Sequence, residues 1–324
     1  MAFPTETVYG LGANAFFPQA VEAVFEAKGR PGDNPLIIHI AYLWQASQLA
    51  IEVPEKAKSL ARIFWPGPLT LVLKKVPGIP YEVTGGLDTV GIRMPDHPVA
   101  RELIRLSQCP IAAPSANLSG KPSPTTARHV LRDLYGRIDG VLDGGSTQVG
   151  LESTVLDVTS KTPVLLRPGG ITREQIEKVI GPILLDPNLQ HLEGDEPPRS
   201  PGLKYAHYAP EGKVYLVDGG PGKAAEWISR SCAEMQEKGL KTAILCSKET
   251  AWLYSDCENH MGFVEILGSK GDLGSVARHL YAALRRCDQE GIEVIYLEAY
   301  SGEGLGMAVM NRMYKASGSN VIKV

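Results

Sequence analysis

Cysteine is scarce and scattered in this 324-residue chain: Cys109, Cys232, Cys246, Cys257 and Cys287 are the full set. No two stand in C-x-x-C spacing, which argues against a zinc site or a redox pair, and an odd, dispersed set reads as reduced thiols in a cytoplasmic protein. No apolar run approaches the roughly 18–20 residues of a membrane span. The opening MAFPTETVYG has neither a basic n-region nor an apolar h-region, so no signal peptide is expected. A basic excess is missing too. The net charge is −3 and the pI about 6.2, which weighs against a general nucleic-acid binder. There is no G-x-x-x-x-G-K-[ST] loop, no G-x-S-x-G elbow and no H-E-x-x-H. SGEGLGMA follows a strand pattern and precedes a helical one, but it misses the G-x-G-x-x-G spacing and is a weak dinucleotide candidate.

Apolar residues make up 44% and charged residues 21% of the chain, ordinary values for a globular protein whose length suits two domains or one large one. Helical and strand patterns alternate, which predicts an α/β class. PQAVEAVFEAKG puts Val21, Val24 and Phe25 on one helical face. PLIIHI, TVGIRMP, CPIAAPSAN, ESTVLDV and PVLLRPGG read as strands. TARHVLRDLYG reads as a helix capped by Thr125 or Thr126, and TREQIEKVIG opens with a capping box from Thr172 to Gln175. After Gly181 the composition turns to Pro, Gly and charge without an apolar period. The expected organisation is a first domain over 1–184, a linker over 185–212, and a smaller Rossmann-like α/β domain over 213–324.

The stretch VFEAKGRPGDNPLIIHI concentrates charge and stiffness ahead of a strand. Gly29 suits a helix C-cap, and Pro31 forces Arg30 into an extended conformation. Stiffly presented, Lys28 and Arg30 suit phosphate, although Lys28 could equally complement a helix dipole. His39 alternates with apolar residues and could be a packed histidine or a ligand. In TVGIRMP, Thr89, Gly91 and Arg93 share one strand face. A buried arginine needs a partner, either a substrate carboxylate with Gly91 leaving room for it, or an Asp or Glu of the protein. Ser115 and Asn117 lie past a strand end among small residues, Ala112, Ala113 and Ala116. That position suits a ligand or a plain polar turn. Ser153 and Arg167 sit at strand edges.

FPTETVYGLGA, KGRPGDNPLIIHI, APSANLSGKPSPT, ESTVLDV and LLRPGGIT together resemble the YrdC-domain family in order and spacing, and SPGLKYAHYAP resembles the linker motif of its two-domain members. The resemblance implies a YrdC-like twisted mixed sheet with helices around a cationic cavity. It implies a nucleotidyltransferase that converts L-threonine, bicarbonate and ATP into L-threonylcarbamoyl-AMP and pyrophosphate, with magnesium carried by ATP. The product would pass to tRNA-modifying transfer proteins that act beside the anticodon of ANN-decoding tRNAs. Direct tRNA binding would be weak or absent, and the protein would be cytoplasmic. Lys28, Arg30, Ser115 and Asn117 match the family's Lys-x-Arg and Ser-x-Asn signature. Arg30, Asn34, Ala113, Ser115, Ser123, Arg167, Ser200 and Tyr205 are implied ATP contacts. Thr5, Thr7, His39, Thr89, Arg93 and Ser153 are the implied threonine site, and Ser200 and Tyr205 would close over the pocket as a lid. Family members carry an extra helix and the start of a strand before FPTETVYG, so a shortened N-terminus and low stability are expected. The competing reading is an RNA-binding module that uses the cationic cavity without ATP turnover.

Overall fold

The computed structural model describes residues 1–189, 208–257, 262–318 and 320–324. Ser200 and Tyr205 lie outside the described residues. The described residues divide into two compact units, one within Met1–Ser119 and Ser123–Tyr205, the other within Gly120–Pro122 and Ala206–Val324.

The first unit is built on strands β1 (Ala2–Phe3), β2 (Gly10–Leu11), β3 (Ala13–Asn14), β4 (Ile37–His39), β5 (Leu69–Lys74), β6 (Thr89–Arg93), β7 (Ile111–Ala113), β8 (Thr154–Asp157), β9 (Val164–Arg167) and β10 (Leu184–Leu185). Its helices are α1 (Pro18–Lys28), α2 (Ala46–Leu49), α3 (Glu55–Phe64), α4 (Tyr81–Thr84), α5 (Pro98–Ser107), α6 (Ala127–Leu134) and α7 (Arg173–Ile180). β1 and β2 form a small hairpin sheet. The other eight strands run in the order β10-β9-β8-β5-β6-β4-β7-β3. Pairing is mixed: β4 with β6 and β5 with β8 are parallel, while β5 with β6, β4 with β7 and β8 with β9 are antiparallel.

Local chemistry accounts for the elements next to the site. α1 buries Val21, Val24 and Phe25, as its spacing predicts, and adds Ala27 and Lys28. It stops because Gly29 takes a left-handed φ of 59°, with the Gly29 and Arg30 amides closing on Glu26 and Phe25 carbonyls. α6 is capped by the Thr126 hydroxyl, and α7 by the expected Thr172–Gln175 box. The apolar core behind α1 and α6 gathers Tyr9, Leu11, Val24, Ala116, Val130 and Leu134.

The second unit is a five-stranded sheet of β11 (Lys213–Asp218), β12 (Thr242–Ser247), β13 (Gly262–Gly268), β14 (Val294–Glu298) and β15 (Val321–Lys323), ordered β13-β12-β14-β11-β15. Every pairing in it is parallel, with helices α8 (Pro221–Glu237), α9 (Leu273–Glu290) and α10 (Gly306–Ser317) as connections. This is the Rossmann-like pattern. Glu298, at the end of β14, is buried and fully engaged by the Ser247 amide, the Thr250 hydroxyl and the Tyr254 hydroxyl. In the SGEGLGMA segment, the Gly306, Met307 and Ala308 amides at the start of α10 turn back onto the carbonyls of Glu303, Gly304 and Leu305. They are committed within the turn, which removes the donors a phosphate would use.

Gly169 packs so closely on the Glu152–Thr154 backbone that a Cβ there would run into main-chain atoms. Gly169→Ala should therefore cost about 1–3 kcal/mol by overpacking. Thermal melts should show a drop of several degrees in Tm; an unchanged Tm would contradict this close approach.

Candidate active site

Strand register sorts the predicted residues onto one face of the large sheet. Ile37 and His39 of β4 stand opposite Gly91 and Arg93 of β6, and opposite Ala113 and Ile111 of β7. Paired residues share a face, so Thr89, Gly91, Arg93, Ile37, His39 and Ala113 all lie on it. The face has two ends. Thr89 opens β6 and Arg93 closes it, about 13 Å apart at the usual strand rise.

Arg93 dominates one end. It is 4% exposed. Its Nε donates to the Gly67 carbonyl at 3.2 Å and its Nη1 to Thr7 Oγ1 at 2.9 Å. Its Nη2 lies 2.6 Å from Glu6 Oε1, a buried ion pair by distance but without hydrogen-bond alignment. Of the two partners the sequence left open for Arg93, the structure supplies the protein carboxylate. Thr5 and Thr7 extend the arrangement. Thr5 Oγ1 donates to the Val8 carbonyl at 2.6 Å, so in its 2.8 Å contact with Thr7 Oγ1 it accepts. Protons then run in one direction, from Arg93 to Thr7 to Thr5 to Val8. Both hydroxyls thereby support the guanidinium.

His39 lies beside Arg93 in register, 5% exposed, with Nδ1 3.1 Å from the Ile37 carbonyl and its ring edge-on to Phe3. Burial first, and the Arg93 charge second, push its pKa down to about 3. The ring is neutral at pH 7. Next along the face, Ser153 Oγ meets Thr70 Oγ1 at 2.8 Å. Arg167 reaches Ser153 through Nη2, 3.2 Å from its hydroxyl and 3.0 Å from its carbonyl. Ser123 Oγ donates to Glu152 Oε1 at 2.5 Å. Arg167 and Ser123, expected among the ATP contacts, thus join Ser153, expected in the threonine set, through the dipeptide Glu152–Ser153. The room expected beside Gly91 is narrower than its missing side chain suggests, because a Cβ there would stand 3.1 Å from Thr70 Cγ2.

The other end gathers around Lys28. The structure gives this lysine a different position from the presented cation its flanking residues suggest. It is 2% exposed, and its ammonium holds the Ser115 and Asn117 carbonyls at 2.6 and 2.5 Å. α1 is thereby bolted to the Ser-x-Asn loop, in which Ser115 Oγ donates to Asn117 Oδ1 at 2.5 Å. Arg30 is half-buried, with Nη2 near the Asn34 and Pro35 carbonyls. Asn34 is buried, and neither atom of its amide has a hydrogen-bond partner among the described residues. Such a group costs about 1–3 kcal/mol unless something pairs with it. Thr89, grouped by expectation with Arg93, falls at this end, two residues before Gly91, the register partner of Ile37. A groove of about 340 Å³ lined by Glu22, Phe25, Glu26, Gly32 and Glu82 carries three carboxylates and suits no anion. Among the described residues no group of three or more His, Cys, Asp or Glu side chains could hold a metal ion, and no helix is long and apolar enough to cross a membrane.

Glu6, Glu152 and Thr70 escaped the sequence reading. Glu6 had a usable signal, since it stands inside the quoted FPTETVYG and Arg93 needed an acid. Thr70 had none.

A mixed eight-stranded sheet carrying buried Arg93, with buried Lys28 at the end of α1, followed in the chain by a parallel five-stranded α/β unit, defines an α/β protein of two units. The chain belongs to the Sua5/YciO/YrdC family: that family's profile, described as telomere recombination, matches residues 1–169, and a threonylcarbamoyl-AMP synthase C-terminal domain profile matches 171–318. It is 52% identical over 324 residues to threonylcarbamoyl-AMP synthases of Pyrococcus abyssi and Bacillus subtilis, covering all of this chain and 92% and 90% of those proteins. The Schizosaccharomyces pombe synthase is 40% identical over 350 residues, which span 98% of this chain and 84% of that protein. Among solved structures, P. abyssi Sua5 complexed with L-threonine aligns with a TM-score of 0.93 at 51% identity, covering 100% of this chain and 92% of that one.

The buried neutral His39 has a consequence for stability. Its pKa in the folded chain, about 3, lies below the ordinary value of 6.5. As pH falls below 6.5 the unfolded chain takes a proton that the folded ring refuses, so stability is lost between about pH 6.5 and 3, at up to about 1.4 kcal/mol per unit. Denaturant melts at pH 7 and pH 5 should show a shallower loss for His39→Gln than for the wild type. Equal slopes would contradict a neutral buried ring.

Proposed function

We propose that this chain is a threonylcarbamoyl-AMP synthase, which joins L-threonine, bicarbonate and ATP and releases pyrophosphate. The observation that carries this reading is the similarity to synthases of that name along the whole chain, at 52% identity. The likeness to a Sua5 structure complexed with L-threonine supports the choice of amino acid.

The chemistry asks little of a nucleophilic side chain. The threonine amine combines with bicarbonate, losing water, to give a carbamate. The carbamate oxygen attacks the α-phosphate of ATP and pyrophosphate leaves. The reacting groups are anions, so the protein's work is to hold them together and balance charge. In this reading Arg93 takes the threonine carboxylate, one N–H on each terminal nitrogen remaining beyond its contacts with Thr7 and Glu6. Thr5 and Thr7 steady it, and neutral His39 and Ser153 flank the amino acid. At the other end Arg30, Asn34, Thr89 and Ser115 face the nucleotide phosphates, Asn34 with its unspent amide. Lys28 acts through the Ser115–Asn117 loop whose carbonyls it holds. Ala113 adds a nucleotide contact there, while Ser123 and Arg167, tied to Glu152 and Ser153 toward the Arg93 end, reach the nucleotide from that side.

Magnesium enters as MgATP, part of the substrate, and its role is to neutralise phosphate charge. The enzyme belongs with the nucleotidyltransferases, works in the cytoplasm, and passes its product to proteins that complete the tRNA modification. The catalytic region is residues 1–184, with 185–212 as linker and 213–324 as a second domain.

Pyrophosphate release from MgATP should require both bicarbonate and L-threonine, and Arg30→Ala should lower kcat/KM for ATP about 10²-fold. Release without threonine would overturn the reading. Tight, salt-dependent RNA binding with no ATP turnover would favour the RNA-binding alternative.

A further inference from the structure

The Glu6 carboxylate pairs with Arg93, and the chemistry above gives it no role toward the ligand. It is 4% exposed, both its oxygens are buried, and neither has an aligned hydrogen-bond donor among the described residues. It approaches Arg93 Nη2 to 2.6 Å. A buried carboxylate held this way is expensive, and removing it alone would leave Arg93 a buried cation short of one partner. What Glu6 brings to this end is a negative charge.

The charges around this end balance. Arg93 and Arg167 are buried cations, and Glu6 and Glu152 are buried carboxylates. His39 is neutral. His97, near enough to Glu6 to feel its charge, is held below its ordinary pKa mainly by burial. A simple carboxylate entering here would add an uncompensated negative charge to a buried neutral cluster. A zwitterion would add none, because its carboxylate faces Arg93 while its ammonium answers Glu6.

We propose that Glu6 is a specificity-determining residue, whose charge beside Arg93 makes this end of the site select zwitterionic amino acids over carboxylates that lack the amine. The inference rests on the reading of Arg93 as the partner of the substrate carboxylate. Glu6 touches Arg93 and acts on the ligand through charge, so it is not a catalytic residue.

The test compares L-threonine with 3-hydroxybutanoate, which is threonine without its amine, on the full chain. Glu6→Gln should raise KM for L-threonine about 10-fold and tighten inhibition by 3-hydroxybutanoate about 10-fold, with KM for ATP within about twofold of wild type. Glu6→Asp keeps the charge and should keep the wild-type preference within about threefold. A Glu6→Gln protein that weakens both ligands alike, or changes neither, overturns the proposal. If Glu6→Gln does not fold, Glu6→Asp decides: loss of the preference there would show that side-chain geometry sets the selectivity and overturn the role of charge. Calorimetry of ligand binding separates this inference from the synthase reading. Wild type that binds L-threonine without releasing pyrophosphate removes the synthase reading and leaves the ligand comparison to decide the inference. Wild type that binds neither ligand overturns both.

Discussion

A guanidinium on a central strand cannot stay buried without partners, and Arg93 has one on each of its three nitrogens: the Gly67 carbonyl, the Thr7 hydroxyl and the Glu6 carboxylate. Much of the first unit is arranged to provide them. The segment Thr5–Val8 folds back on itself through Thr5 Oγ1, and the backbone of Val149 and Gly150 pins it through the carbonyls of Glu6 and Thr7. That same 149–153 stretch delivers Glu152 and Ser153, to which Ser123, Thr70 and Arg167 are tied. The position of one cation is therefore transmitted by hydrogen bonds to most of the polar residues at its end of the face.

The opposite end uses its cations differently. Lys28 is withdrawn from solvent and spends its charge on two backbone carbonyls, which fixes the loop carrying Ser115 and Asn117. A lysine is suited to this, since three donors on one nitrogen can gather carbonyls from a turn. Arg30, two residues on and past the left-handed Gly29, stays half-buried. A short Lys-Gly-Arg run thus splits into a buried cation on the Ser115 and Asn117 carbonyls and a half-buried one beside the Asn34 and Pro35 carbonyls, and Gly29 makes the split possible by ending the helix between them.

Much of the fold was legible from local pattern. The apolar face of α1, the stop at Gly29, the Thr172 capping box and the alternating faces of β6 follow from spacing and side-chain chemistry alone. The site was legible in its residue types but less so in its partnerships. Lys28 and Arg93 each read as a ligand contact or as a structural charge, because a sequence shows a cation without showing which carbonyl or carboxylate lies across from it. Thr89 was grouped with Arg93 since they share a strand face, yet a strand also separates its ends, by about 13 Å here. Glu6–Arg93 and Thr70–Ser153 join residues 87 and 83 positions apart, and only strand order brings such pairs together.

The two-ended face is tested most directly by a crystal structure with L-threonine and a non-hydrolysable MgATP analogue bound together. The expected density puts the amino-acid carboxylate within hydrogen-bond reach of Arg93 and the phosphates against Arg30, Asn34 and Ser115, with the amine and the α-phosphate between. Phosphates seated on Arg93, or both ligands crowded at one end, would contradict it.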